Sequence, residues 1–83
     1  MRLRALTPDQ LAAVLRGHRQ TTGLTQRQAA AKVGLLQKTI SSLETDPAGS
    51  SIASLFKLLS ALDLEMVLEP KQSVSSRAKT SEW

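Results

Sequence analysis

The spacing of apolar positions changes along this chain, and the changes divide it. Up to Leu62 the apolar side chains recur at helical intervals in four blocks, and from Leu64 they alternate one for one. In the first block Leu11, Val14 and Leu15, continued by His18 and Arg19, fall on one helical face. Thr7 can cap this helix, Pro8 suits its first position, and Gln10 stands where a capping box needs it. Leu6 and Leu11 have the spacing of a hydrophobic staple, and Gly23 stops the helix.

The second block repeats the device. Thr25 caps, Gln28 closes the box, and Gly34 sits past the end, where a left-handed residue costs little. Its predicted inward face is mostly Ala30 and Val33, small enough for another helix to come close. The third helix is predicted from about Gln37 to Glu44. Leu36, Ile40 and Leu43 point inward, and Gln37, Lys38, Ser41 and Ser42 point outward. Leu36 stands where a capping Ser or Thr is usual. After the loop "DPAGSS", Ser51 can cap a fourth helix. Its Ile52, Leu55, Phe56, Leu59 and Leu62 give the longest apolar stripe, the predicted floor of the core.

Residues 64–69, "LEMVLE", alternate Leu64, Met66 and Leu68 with Glu65, Val67 and Glu69, a strand pattern. A lone strand leaves its backbone groups without a ladder. A copy of itself across a two-fold axis would satisfy them. A fifth short helix, or pairing with the initial "MRLRA", are the alternatives. From Pro70 the chain has almost nothing to bury and is predicted disordered. The pattern therefore divides the chain into a folded domain over residues 1–69 and a tail over 70–83.

A chain of 83 residues holds one domain with a thin core, marginal on its own. It has no cysteine, and its single His18 has no second histidine at ligand spacing, so neither a disulfide nor a metal staple is expected. Dimerisation is the remaining route to stability. Charge is uneven. Residues 1–44 carry seven Lys or Arg against Asp9 and Glu44, a net of +5, and residues 45–83 carry four against five, a net of −1. A basic half suits an anionic polymer, although a merely soluble basic protein would look alike. No apolar run approaches the ~18 residues of a membrane span, and "MRLRAL" is too short for a signal-peptide core. A soluble intracellular protein is expected.

Phe56 and Trp83 are the whole aromatic content, which disfavours base-stacking platforms for single strands. With no Cys, no Tyr, one His and no carboxylate pair placed for acid–base work, an enzyme is not expected, nor any cofactor.

Two short helices meeting at Gly34, the second polar outside and anchored inside, describe a helix-turn-helix over residues 25–44. The first lies across the backbone of double-stranded DNA and the second enters the major groove. These residues resemble the Xre/Cro-type repressors, with Thr25-Gln26, Ala30, Gly34, Gln37, Thr39-Ile40-Ser41 and Glu44 at that family's spacings. Leu36 departs from the pattern. The resemblance implies an all-α, lambda-repressor-like domain of four helices, to which the alternating segment adds one C-terminal β-strand paired across a dimer.

By position it also implies roles. Gln26 binds a phosphate and steadies Gln37. Gln37 reads a base edge, since an amide pairs bidentately with adenine. Lys38 reaches guanine acceptors or a phosphate, and Ser42 faces the groove one turn later. Arg27, Thr39 and Ser41 contact the backbone, which positions without specifying. Without the motif, Gln37 and Lys38 would be an ordinary solvated face. Arg19 and Glu44 continue the apolar faces of their helices, so each charge lies at the core rim. The family uses an Arg–Glu pair there, which favours a structural salt bridge, with a phosphate contact by Arg19 as the alternative.

The chain as a whole resembles HipB-type antitoxins. The likeness rests on the four helices, on "SIASLFKLLSALDLEMVLEP" and on the tail ending "SEW". It implies a homodimer joined through Leu64, Met66, Val67 and Leu68, and binding to palindromic operators in its own promoter. It further implies capture of a HipA-type Ser/Thr kinase toxin, in the cytoplasm at the bacterial nucleoid. Trp83, an odd residue to end a serine-rich tail, suits an anchor in a toxin pocket, unless it stands there by chance. A stand-alone or phage-type repressor, and a kinase inhibitor that no longer reads DNA, remain open.

Overall fold

The computed structural model describes residues 3–71. Residues 72–83, with Trp83 and nearly all of the expected disordered tail, lie outside the described residues. Four α-helices follow in order: α1 (Pro8–Thr21), α2 (Gln26–Val33), α3 (Gln37–Thr45) and α4 (Ile52–Ala61). A 3-10 turn, Pro47–Gly49, joins α3 to α4.

Local chemistry sets the boundaries. At the start of α1, Thr7 Oγ1 accepts from the Gln10 amide at 3.1 Å. The Gln10 side-chain oxygen reaches past the cap and accepts from Leu6 N at 2.7 Å. Leu6 itself is 71 % exposed, so it adds little to the expected staple. The capping box of α2 is complete, with Gln28 N donating to Thr25 Oγ1 at 3.0 Å and Thr25 N donating to Gln28 Oε1 at 2.9 Å. This helix ends on Gly34 at φ +71°, and Leu35 N then closes onto Ala30 O at 2.9 Å. A side chain at position 34 would be strained in that left-handed conformation. At α3 the cap position is Leu36, which makes no side-chain cap bond. Ser51 Oγ accepts from Ser54 N at 3.0 Å and starts α4.

The core is small and aliphatic: Leu15, Ala29, Ala30, Ile40, Leu43, Leu58, Leu59, Ala61 and Leu62 are buried together. Leu11, Leu24, Val33, Leu35, Leu55 and Leu64 pack against it half-buried. Helix α2 packs on both α3 and α4, and α1 packs on α3 and the 3-10 turn. Ala29 and Ala30 are both buried on α2, and their small side chains let neighbouring helices come close.

Three expected inward positions face out. Leu36 is 71 % exposed, because the chain enters α3 in an extended conformation that turns it away from the core. On α4 the buried positions are Leu58, Leu59, Ala61 and Leu62, while Ile52 and Phe56 are exposed by 71 % and 50 %. Ser54, Lys57 and Ser60 keep one side of the helix polar, and the apolar arc that remains is wider than the core covers: Leu55, Leu58, Leu59 and Leu62 pack into the core, while Ile52 and Phe56 are left outside.

After α4 the chain turns at Asp63, which takes a left-handed φ of +61°. Leu64 N then donates to Leu59 O at 2.8 Å. Within one chain, residues 64–69 form neither a fifth helix nor a ladder with residues 3–5. They run irregularly along the surface, with Met66, Val67 and Leu68 exposed. Among the described residues no helix is long and apolar enough to cross a membrane.

Candidate nucleic-acid interface

Gln26 and Gln37 occupy equivalent places, each the first residue of its helix. The turn at residues 34–36 brings the two helix starts together. Gln37 Nε2 donates to Gln26 Oε1 at 3.4 Å. Gln37 and Lys38 are exposed on the outer face of α3, and Thr39, Ser41 and Ser42 are half-buried beside them. Ile40 and Leu43 on the opposite face are buried and hold the helix to the core. Arg27 is exposed at the start of α2. The surface formed is polar, with two cations, Arg27 and Lys38, near the helix starts where phosphates are readily met.

Behind this surface lies an ion pair. Arg19 Nε donates to Glu44 Oε2 at 2.6 Å, and Nη2 donates to Glu44 Oε1 at 3.0 Å. The remaining nitrogen, Nη1, donates to Leu24 O at 2.8 Å. Both residues are buried, so the pair ties α1 to α3 at the core rim. The hydrogen bonds that Arg19 donates to Glu44 raise the Arg19 pKa, burial opposes this, and the nearby carboxylate charge adds to the rise. A guanidinium is cationic in proteins in any case, and with all three nitrogens engaged Arg19 is turned to the protein.

One contact lies beyond what the sequence predicts. Gln26 Nε2 donates to Glu44 Oε1 at 3.1 Å. Glu44 thus serves Arg19 and Gln26 together, and a continuous set of hydrogen bonds runs Arg19, Glu44, Gln26, Gln37. The signal is an acceptor-only carboxylate near the end of one helix and an amide beginning another, but nothing in their spacing of 18 residues announces contact.

A second surface is apolar. Ile52 and Phe56 of α4 stand exposed, as do Met66, Val67 and Leu68 on the chain that follows the helix. Phe56, Leu59, Leu64 and Met66 line a shallow groove edged by Ser60 and Asp63. Among the described residues no group of three or more His, Cys, Asp or Glu could hold a metal ion.

Comparison with known proteins gives one pattern. A family model described as Helix-turn-helix matches residues 15–68. The Antitoxin HipB of Escherichia coli O6:H1 (strain CFT073) is 39 % identical over 72 residues, covering 87 % of this chain and 77 % of that protein. Among solved structures, the fold matches a HipA-HipB-O2-O3 complex with TM-score 0.80 and 36 % identity, over 83 % of this chain and 97 % of that one. It matches a HipB variant in complex with an O2 20mer with TM-score 0.83 and 35 % identity, over 87 % and 100 %.

Proposed function

The chain belongs to the HipB antitoxin family of helix-turn-helix proteins, and from that premise we propose that it is a sequence-specific DNA-binding repressor and the antitoxin of a HipA-type kinase toxin. It acts as a homodimer in the bacterial cytoplasm, on palindromic operator DNA in its own promoter. The observation that carries this is the polar face of α2 and α3, with Gln26 and Gln37 joined at the helix starts and Arg27 and Lys38 exposed beside them.

On DNA, α3 enters the major groove and α2 crosses the backbone. Gln37 pairs with a base edge, and Lys38 takes guanine acceptors or a phosphate. Ser42 faces the groove one turn on. The second hydrogen on Gln26 Nε2 is available for a phosphate, because only one is given to Glu44. Arg27, Thr39 and Ser41 hold the backbone. The folded unit is residues 1–69. Two copies join through residues 64–69 as a shared two-stranded ribbon, with Leu64, Met66, Val67 and Leu68 in the interface. The exposed apolar groups at Met66, Val67 and Leu68 support that placement. Trp83 is the anchor offered to the toxin.

Duplex binding measured against salt tests the DNA half of the reading. Affinity is expected to fall steeply as salt rises, in proportion to the phosphates neutralised. A duplex affinity that is weak and indifferent to salt would leave a toxin-binding module without DNA recognition. Pull-down with a co-expressed HipA-type kinase tests the other half, and recovery of the antitoxin alone would reject it.

A further inference from the structure

We infer that Glu44 is a positioning residue for base reading: held by Arg19, its carboxylate fixes which way the Gln26 amide points, and Gln26 in turn fixes the amide of Gln37. The inference rests on the repressor reading of the same surface. Its basis is the one-way character of each group. A guanidinium only donates and a carboxylate only accepts. Arg19 gives Nε and Nη2 to Glu44, so Glu44 is locked in place as an acceptor. The atom of Gln26 that faces it at 3.1 Å must therefore be the donor, Nε2. That turns Gln26 Oε1 toward α3, where it can only accept, and what it accepts is Gln37 Nε2.

The consequence reaches the base. An isolated glutamine amide can present either end, and so suits different base edges equally well. Gln37 here has its Nε2 on the Gln26 side, which leaves Oε1 and one hydrogen of Nε2 in a set order. Adenine presents one donor and one acceptor in a matching order. A surface glutamine is thereby given a preferred direction by an ion pair that is itself turned to the protein.

Two variants and one spectrum test this in the full chain, with a duplex carrying the palindrome of its own promoter and single-base variants of it. Gln26→Met keeps the length of the side chain and leaves the Arg19–Glu44 pair intact. It is expected to keep the melting temperature while cutting the preference for the matched base at the Gln37 position by about ten-fold, the scale of one bidentate amide contact. Preference at other positions should hold. Glu44→Gln lets the position donate as well as accept, and is expected to relax the same base. If Glu44→Gln does not fold, the side-chain amide of Gln26 in the wild-type proton–nitrogen spectrum decides. One slow-exchanging, displaced Nε2 hydrogen supports the relay, and two hydrogens at free-glutamine positions overturn it. Loss of the Gln26 phosphate contact weakens every duplex alike, so the base preference is the readout, and an unchanged preference in Gln26→Met also overturns it. Failure of the wild-type chain to bind any duplex overturns the repressor reading instead.

Discussion

The α2–α3 face and the α4 face meet water with different materials. On the first, the exposed groups are amides, hydroxyls and cations, and several are already held by the protein, as Gln37 is by Gln26 and Gln26 by Glu44. On the second they are Ile52, Phe56, Met66, Val67 and Leu68, and none of these is buried by the described residues. The energetic consequence differs. Polar groups exchange a partner for water at little net cost, so a polar face can stand empty and bind reversibly. Apolar area left in water forgoes about 25 cal/mol for each Å², so an apolar face favours a partner that stays. The molecule thus separates a surface suited to reversible contact from one suited to lasting contact.

The comparison breaks most severely at the ion pair behind the polar face. Glu44→Ala leaves Arg19 buried without its carboxylate, and is expected to lower unfolding stability by roughly 3–5 kcal/mol. Denaturant titration measures it, and a loss under ~1 kcal/mol would class the pair with solvated surface bridges. The apolar face is tested next. Phe56→Ala is expected to weaken self-association by about 2 kcal/mol, a factor of roughly 30, while Val67→Pro removes ladder bonds if the ribbon forms. Both should leave the monomer folded in sedimentation and circular dichroism. A dimer unchanged by either would move the interface elsewhere.

Smaller effects sharpen the polar side. Gln37→Ala should cost ~1–3 kcal/mol at one base per half-site. Arg27→Ala should weaken all sequences alike and reduce the salt slope by about one. If the two behave identically, Gln37 is not a reader. The smallest change lies on neither face. Gly17 is exposed in the middle of α1, and a methyl added there would meet nothing within 4 Å. Gly17→Ala should therefore stabilise by ~0.5–1 kcal/mol in thermal melting, without altering either partner's binding.

What is legible in the sequence is mostly local. Thr7, Thr25 and Ser51 cap the helices their spacing predicts, and Gly34 takes the left-handed turn, because those signals depend on neighbours a few residues away. Extending the apolar faces places Arg19 and Glu44 at the rim, and the structure holds them there against each other. Legibility ends where the pattern has two solutions or where contact is remote. Helix α4 carries an apolar arc wider than the core covers, so periodicity does not choose between Phe56 and Leu58. Leu36 looks inward by spacing, yet it precedes the helix and does not share its phase. The bond from Gln26 to Glu44 depends on how α2 and α3 are set together, which no spacing encodes. Residues 64–69 alternate as a strand does, but among the described residues nothing forms a ladder with them.

Arg19 and Glu44 lie 25 residues apart, whereas only residues 34–36 separate α2 from α3. Closing a longer loop costs more chain entropy, so the α2–α3 hairpin is expected to form early and the seating of α1 to come late. A contact made after the transition state is felt on the unfolding limb alone. Breaking the pair should then raise the rate of escape from the native state and leave the refolding rate nearly unchanged in a chevron plot. On that order of events the pair is expected to set how long the fold lasts once made, with little influence on how fast it is reached.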